Sequence, residues 1–427
     1  MFYTLVMRED FLHYVWRYKK FDFLNLKTVC GKKLSVIDTG VYTQNSGADF
    51  FNAQLKIDNL HWAGNVEIHL KSSDWYVHNH HRDTNYDNVI LHVVWDYDVD
   101  VYRQNNTEIP VLQLKKYVQK DINCSYMDLV KNKSWILCEK QIENVDENLF
   151  SLWKDQLFTE RLHQKSLLIE KLLQENKNDW EATLFCVLAR NFGLNTNGNS
   201  FFEIAKSIPF TIVRKESFDI ENLESLFLGK ANLLNTDFED TYSKELQNRW
   251  NYMQIKYQIE KTFFDRLEFF RHRPDNFPTI RLVQLAALYH SKPNLFEAIV
   301  SSNSLSEIYN FFKTSTSEYW KTHYVLDKES PHKTKSLSRA FVDLLIINTI
   351  IPFRFAYNQY FKNNSDAVLR EISKSIPPEK NIITERFRSL GIKSSNAFDS
   401  QALLQLKKHY CDYKRCMQCE VGKSIVG

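Results

Sequence analysis

The spacing of hydrophobic and polar positions divides the chain into two regimes. From Glu9 to Tyr18, Phe11, Leu12, Val15 and Trp16 recur at helical spacing, which predicts an amphipathic helix. A strand follows over Leu34 to Ile37, with a turn at Gly40. Asp49 to Ile57 alternates with Phe51, Ala53, Leu55 and Ile57 on one face, and Val66 to Lys71 sets Glu67, His69 and Lys71 opposite Val66, Ile68 and Leu70. Asn88 to Trp95 is almost wholly apolar, as in a central strand covered on both faces, and Ile109 to Leu114 predicts one more strand.

From about Glu147 the period becomes helical. Leu162 to Leu173, Trp180 to Phe192, Leu223 to Leu234, Tyr242 to Phe270, Ile280 to Tyr289 and Phe341 to Tyr357 carry i, i+3, i+4 apolar spacing. Gly193 and Gly229 read as local breakers, and Pro274, Pro278, Pro293 and Pro352 as punctuation. The pattern predicts an α+β protein: an N-terminal αβ domain over 1–146, a large all-helical domain over 147–408, and a short cysteine-bearing tail over 409–427.

Composition adds little beyond a well-packed interior. Aromatic residues make up 14% of the 427 residues, which argues against disorder. The net charge of +3 excludes a globally basic protein but not a local basic strip. No stretch approaches the roughly 20 apolar residues that span a bilayer, so no membrane partner is expected. Met1 to Val6 is too short for a secretory apolar segment. The seven cysteines are an odd number, scattered for the most part, and suit a reducing cytoplasm.

Chemistry concentrates near the alternating strands. Two carboxylates converging on a divalent ion, with a polar side chain to orient water, are what metal-dependent phosphodiester hydrolysis requires. A hairpin carrying Asp49 at the start of one strand and Glu67 inside the return strand supplies that layout, with Mg²⁺ or Mn²⁺ as the expected ion and His69 or Lys71 to position the water. Register decides whether it works. A two-residue turn at Asp58-Asn59 sets Asp49 opposite Ile68, on the wrong face, whereas a turn centred on Asp58 alone sets it opposite Glu67. A solvated strand face would show the same Glu-X-His alternation with no chemistry. Against that, five of the thirteen histidines fall between His69 and His92, where His78, His80, His81, Asp83 and Asp87 crowd one segment. These imidazoles and Asp83 are also candidates for a zinc or iron site, and His92, inside an apolar strand, reads as a core histidine or as a partner of the site.

The spacing of Asp49 and Glu67-Ile68-His69 resembles the PD-(D/E)XK nuclease superfamily, in which an Asp and a Glu-X-Lys flank a hairpin, often with a Glu on a preceding helix. That resemblance implies a restriction-endonuclease-like fold for the N-terminal domain, nucleic acid as partner, and Glu9 as the helix carboxylate. Here Ala48 stands in place of the usual proline, and His69 in place of lysine. Met7-Arg8-Glu9-Asp10-Phe11, the run from Gly64 to His69 and the run from Tyr86 to Val94 resemble an uncharacterised bacterial family, domain of unknown function 2851. The likeness extends to Asn276-Phe277-Pro278, Arg281-Leu282 and Cys416 to Gly422.

In the tail, His409, Cys411, Cys416 and Cys419 gather soft ligands within eleven residues, a density suited to zinc or an iron–sulfur cluster, with three free thiols as the alternative. Lys407 and Lys408 before them read as solvated. Arg271, Arg273 and Arg281 near a rigid turn are open to two readings, phosphate contact or a network tying helices together. The leading functional expectation is a metal-dependent nuclease. Its rivals are a non-catalytic nucleic-acid or protein-binding scaffold and a histidine-rich metal hydrolase.

Overall fold

The structure, a computed structural model, describes residues 7–43, 47–131, 134–260, 267–270, 272–363 and 366–427. It divides into two compact units. The first comprises residues 1–155, 385–393 and 403–427, and the second 156–384 and 394–402. Residues 409–427, set apart in the sequence as a tail, are therefore grouped with the N-terminal unit.

In the first unit, α1 (Glu9–Arg17) has acidic residues in its first turn and Arg17 in its last, and buries Phe11, Leu12, Val15 and Trp16. Phe11 stacks on Tyr126 at 4.1 Å between centroids and meets Trp95 edge-on. The sheet holds β1 (Leu34–Asp38), β2 (Val41–Tyr42), β3 (Phe50–Ile57), β4 (Leu60–Lys71), β5 (Val89–Asp96) and β6 (Val111–Gln113). Its order is β1-β3-β4-β5-β6, with β2 also paired to β3. β1 and β4 each run antiparallel to β3, whereas β5 lies parallel to both β4 and β6. A parallel step needs a crossover. Residues 72–88 supply it, with the short helix α2 (Asp74–Val77) and two 3₁₀ turns, His80–Arg82 and Thr84–Tyr86. Trp75 and Tyr86 of the crossover pack with Val89 and Val94, which is why β5 reads as continuously apolar. A helix not predicted from the sequence, α3 (Lys120–Lys131), buries Ile122, Tyr126 and Leu129.

The turn between β3 and β4 has two residues, Ile57 pairing with Leu60. That register would put Asp49 on the wrong face, but a bulge between Phe50 and Ala53 shifts it by one, so that Phe50 pairs with Val66 and Asp49 comes level with Glu67. The extra residue is Asn52, at φ 56°, whose N–H donates to Asn65 Oδ1 at 3.3 Å.

The second unit is mainly helical. α4 (Glu147–Glu175) leads into it, and the helices Trp180–Phe192, Ile220–Lys230 and Thr241–Tyr257 each start at an aspartate that accepts from a first-turn N–H, namely Asp179, Asp219 and Asp240. Gly193 ends the first of these three. Gly229 lies inside its helix rather than breaking it, and a side chain is excluded there because a Cβ would meet the Trp250 ring at 2.2 Å. The unit is not all-helical as expected. His323–Val325 and Lys328–Glu329 form a small antiparallel pair. The chain from Arg339 to Tyr360 is one continuous helix whose π-helical turn, Ile346–Ile350, precedes Pro352. Contrary to the reading of the sequence, it is long and apolar enough to cross a membrane by length and composition, and 72% of its most apolar window is buried in the protein. The expected helix continuation over 261–266, like Arg271, lies outside the described residues. Arg281 is buried, donating to Gln284 and Asn276 with its guanidinium 3.6 Å over the Phe341 ring, which favours a role in tying helices together.

Candidate metal centre

Four elements of the first unit bring titratable groups together. β4 contributes Glu67 and His69, two residues apart and so on one face. β5, with His92 in register with Glu67, adds a fully buried imidazole. The crossover brings His78 and His80 over this face, and α1 with the approach to β3 supplies Glu9, His13 and Asp49.

The contacts form a connected set. His69 Nδ1 lies 2.9 Å from His92 Nε2, and His69 Nε2 lies 3.0 Å from His78 Nδ1. Glu67 Oε1 is 3.4 Å from His69 Nε2 and 3.3 Å from His80 Nε2. The other oxygen, Oε2, accepts the Asp49 N–H at 3.1 Å, while Asp49 Oδ2 accepts the Ile68 N–H at 2.9 Å and stands 3.2 Å from His13 Nε2. His80 stacks on Tyr86 at 3.7 Å, and Trp75 lies edge-on to both His80 and Tyr86. Glu67, His69 and His92 are buried and His78 is exposed, so the cluster has a closed floor and an open side.

Electrostatics follow from that burial. Burial and then the Asp49 charge push the Glu67 carboxyl far above the usual range. Burial, reinforced by His92, His80 and His78, holds His69 neutral, and burial pulls His92 down to about 3 and also lowers His80. At His13 burial works against the charge, but the hydrogen bond to Asp49 and the charges of Asp49, Glu9 and Glu67 outweigh it and raise its pKa. Glu9 is raised by burial, with His13 opposing and Asp49 reinforcing the shift.

Neutral imidazoles are the ligating form. One donor atom each from His69, His78 and His80 lie within 4.8 Å of one another, so this trio could hold a metal ion. With metal–nitrogen bonds of about 2.1 Å, neighbouring donors in a coordination shell stand roughly 3.0–3.4 Å apart. The observed separations of 3.0, 3.4 and 3.3 Å among His69, His78, Glu67 and His80 fall in that range.

The sequence-predicted residues divide accordingly. Asp49, Glu67, His69, His78 and His80 are brought together, His92 touches His69 from below, and Glu9 lies close enough for its charge to act on His13. Lys71 is exposed at the end of β4, where its charge acts on Asp98. His81 packs beside Tyr76, and Asp83 caps the second 3₁₀ turn by accepting from the Asn85 N–H. His13 was missed. Its signal was present, since Glu9 and His13 stand four apart on one helix, but the strong apolar stripe of α1 draws attention to Phe11, Leu12 and Val15.

Fold and site together define an α+β protein with a mixed sheet, a mainly helical second unit and a histidine-rich cluster able to hold a metal. The chain belongs to the family described as Protein of unknown function (DUF2851), whose profile matches residues 9–382. The likeness read onto Cys416 to Gly422 lies beyond the matched span. No curated protein and no solved structure matches the chain.

Proposed function

We propose that the first unit is a metal-dependent hydrolase whose substrate is a nucleic-acid phosphodiester. The observation that carries this reading is the convergence of Glu67, Asp49 and the three imidazoles His69, His78 and His80 beside an open face. In this reading His69, His78, His80 and Glu67 bind the ion, and Asp49, with His13 against it, faces the water and the scissile phosphate. His92 fixes the His69 tautomer: with Nδ1 donating to His92, Nε2 is free to ligate. The histidine donors favour Mn²⁺, Fe²⁺ or Zn²⁺ over the expected Mg²⁺, which prefers oxygen ligands. Lys71, at the exposed strand end, has no part in it.

What supports a phosphodiester is the layout, a carboxylate at the start of one hairpin strand, a second inside the return strand and a third on the preceding helix. Lys165, Lys171, Arg190 and Lys206, with Glu175 among them, line one cleft of the second unit, a surface able to meet phosphates. The histidine trio also favours a second reading, a metal hydrolase acting on a small substrate.

The test is cleavage of single- and double-stranded DNA and RNA by the EDTA-stripped full chain after addition of Mn²⁺, Fe²⁺, Zn²⁺ or Mg²⁺. Manganese-, iron- or zinc-dependent cleavage, falling about 100-fold or more in Glu67→Ala, is the expected result. Metal binding at this cluster without cleavage of any nucleic acid would transfer the assignment to the small-substrate hydrolase. Failure to bind any of the four ions would overturn both readings.

A further inference from the structure

Four of the seven cysteines meet around one cavity of the first unit, far from the histidines in sequence. Cys138, Cys411, Cys416 and Cys419 line it together with apolar side chains that include Leu137, Ile142 and Leu406. The sulfurs come from three separate segments. Cys138 sits in the turns just after Ile136, Cys411 ends a π-helical stretch, Leu406–Cys411, and Cys416 opens a 3₁₀ turn that Cys419 caps. None is in a disulfide, and Cys411 lies near enough to Cys419, Cys138 and Cys416 for their charges to act on it. The remaining cysteines are elsewhere, Cys30 and Cys124 exposed and Cys186 buried in the second unit.

We propose that this cavity is an iron–sulfur site whose four thiolate ligands are Cys138, Cys411, Cys416 and Cys419. The fourth ligand is thus a cysteine about 270 residues away in sequence, and not His409, which is half-buried and outside the lining. Three features support a cluster. First, four cysteine sulfurs line the cavity with no histidine or carboxylate among them, the donor set of Cys₄ clusters. Second, among the described residues the one trio of His, Cys, Asp or Glu donors drawn within 4.8 Å is the histidine trio. The sulfurs are therefore more widely spread than a single tetrahedral zinc sets them, with about 3.8 Å between ligands for Zn–S bonds of about 2.3 Å. A polynuclear cluster needs the wider spread. Third, the Cys419 sulfur receives the backbone N–H groups of Val421 and Gly422, contacts that stabilise a ligating thiolate. Gly422 is required there, because a Cβ would meet the Cys416 carbonyl oxygen at 2.2 Å. Metal binding at this point would fasten the Cys138 turn to the C-terminal segment.

The experiment is anaerobic purification of the full chain, with iron, zinc and acid-labile sulfide measured per chain beside the visible absorption spectrum, before and after reconstitution with ferrous iron and sulfide. The expected result is up to about four iron and four sulfide per chain, the content of a four-iron cluster. It should be lost in Cys138→Ser and kept in His409→Ala and Cys124→Ser, with far-ultraviolet circular dichroism confirming that each variant is folded. If Cys138→Ser does not fold, the wild-type metal and sulfide content decides. Stoichiometric zinc without sulfide would overturn the cluster. No metal after reconstitution, or an undiminished cluster in folded Cys138→Ser, would overturn the site.

Discussion

Glu67 is under two opposing demands. A buried carboxyl beside Asp49 is costly to ionise, so without a cation it holds its proton well above the usual carboxylate range. A divalent ion among His69, His78 and His80 would reverse that preference. Glu67→Gln keeps an oxygen for the Asp49 N–H and removes the titratable group. It should leave the metal-free melting temperature unchanged or a few degrees higher, while abolishing the rise that Mn²⁺ produces in the wild type; thermal scans with and without the ion read both effects. His92→Ala removes the hydrogen-bond partner of His69 Nδ1 and should weaken Mn²⁺ binding roughly 10- to 100-fold by titration calorimetry. Lys71→Ala should bind as the wild type does. An equal loss in Lys71→Ala would mean that the strand end, and not the histidine cluster, holds the ion.

At the scale of elements, the sequence reads well where one periodicity rules a segment. The alternation over Val66 to Lys71 correctly placed Glu67 and His69 on one face, and the apolar stripe located α1 to within a residue. The register of β3 against β4 was not legible, because it depends on a bulge that Asn52 creates by taking a positive φ, and asparagine there carries no strong pattern. The fourth cysteine was equally hidden, since Cys138 joins the tail only through the fold. Asn52 can therefore be tested as a device. Asn52→Gly, which tolerates φ 56°, should retain metal binding and stability, whereas Asn52→Val should lose about 1–2 kcal/mol in urea denaturation. Deleting Asn52 removes the extra residue and leaves Asp49 level with Glu67 in an unbroken ladder, so activity should survive the deletion where the hairpin forms. Loss of activity in a folded deletion variant would show that the bulge itself, and not only the register it sets, is needed.

For the whole molecule, a pH effect outside the metal cluster sits in the second unit, at Glu224. It is fully buried on the helix Ile220–Lys230, and Tyr242, Ser317 and Trp320 all donate to its carboxylate. Those three donors favour the charged form, but burial outweighs them and pushes the carboxyl up from 4.5 to about 7. The folded state thus binds this proton more tightly than the unfolded chain does. Stability from this group is complete below pH 4.5, falls between 4.5 and about 7, and is gone above that. The loss across the window is on the order of 3 kcal/mol. Chemical denaturation of the wild type between pH 5 and 8 should therefore show the urea midpoint of the second unit falling as pH rises. Glu224→Gln, which keeps the shape and cannot ionise, should flatten that slope and be the more stable protein at pH 8. A wild-type midpoint that rose with pH, or an unchanged slope in the variant, would place the ionised form of Glu224 in the native state and make its three donors, not its burial, the stronger influence.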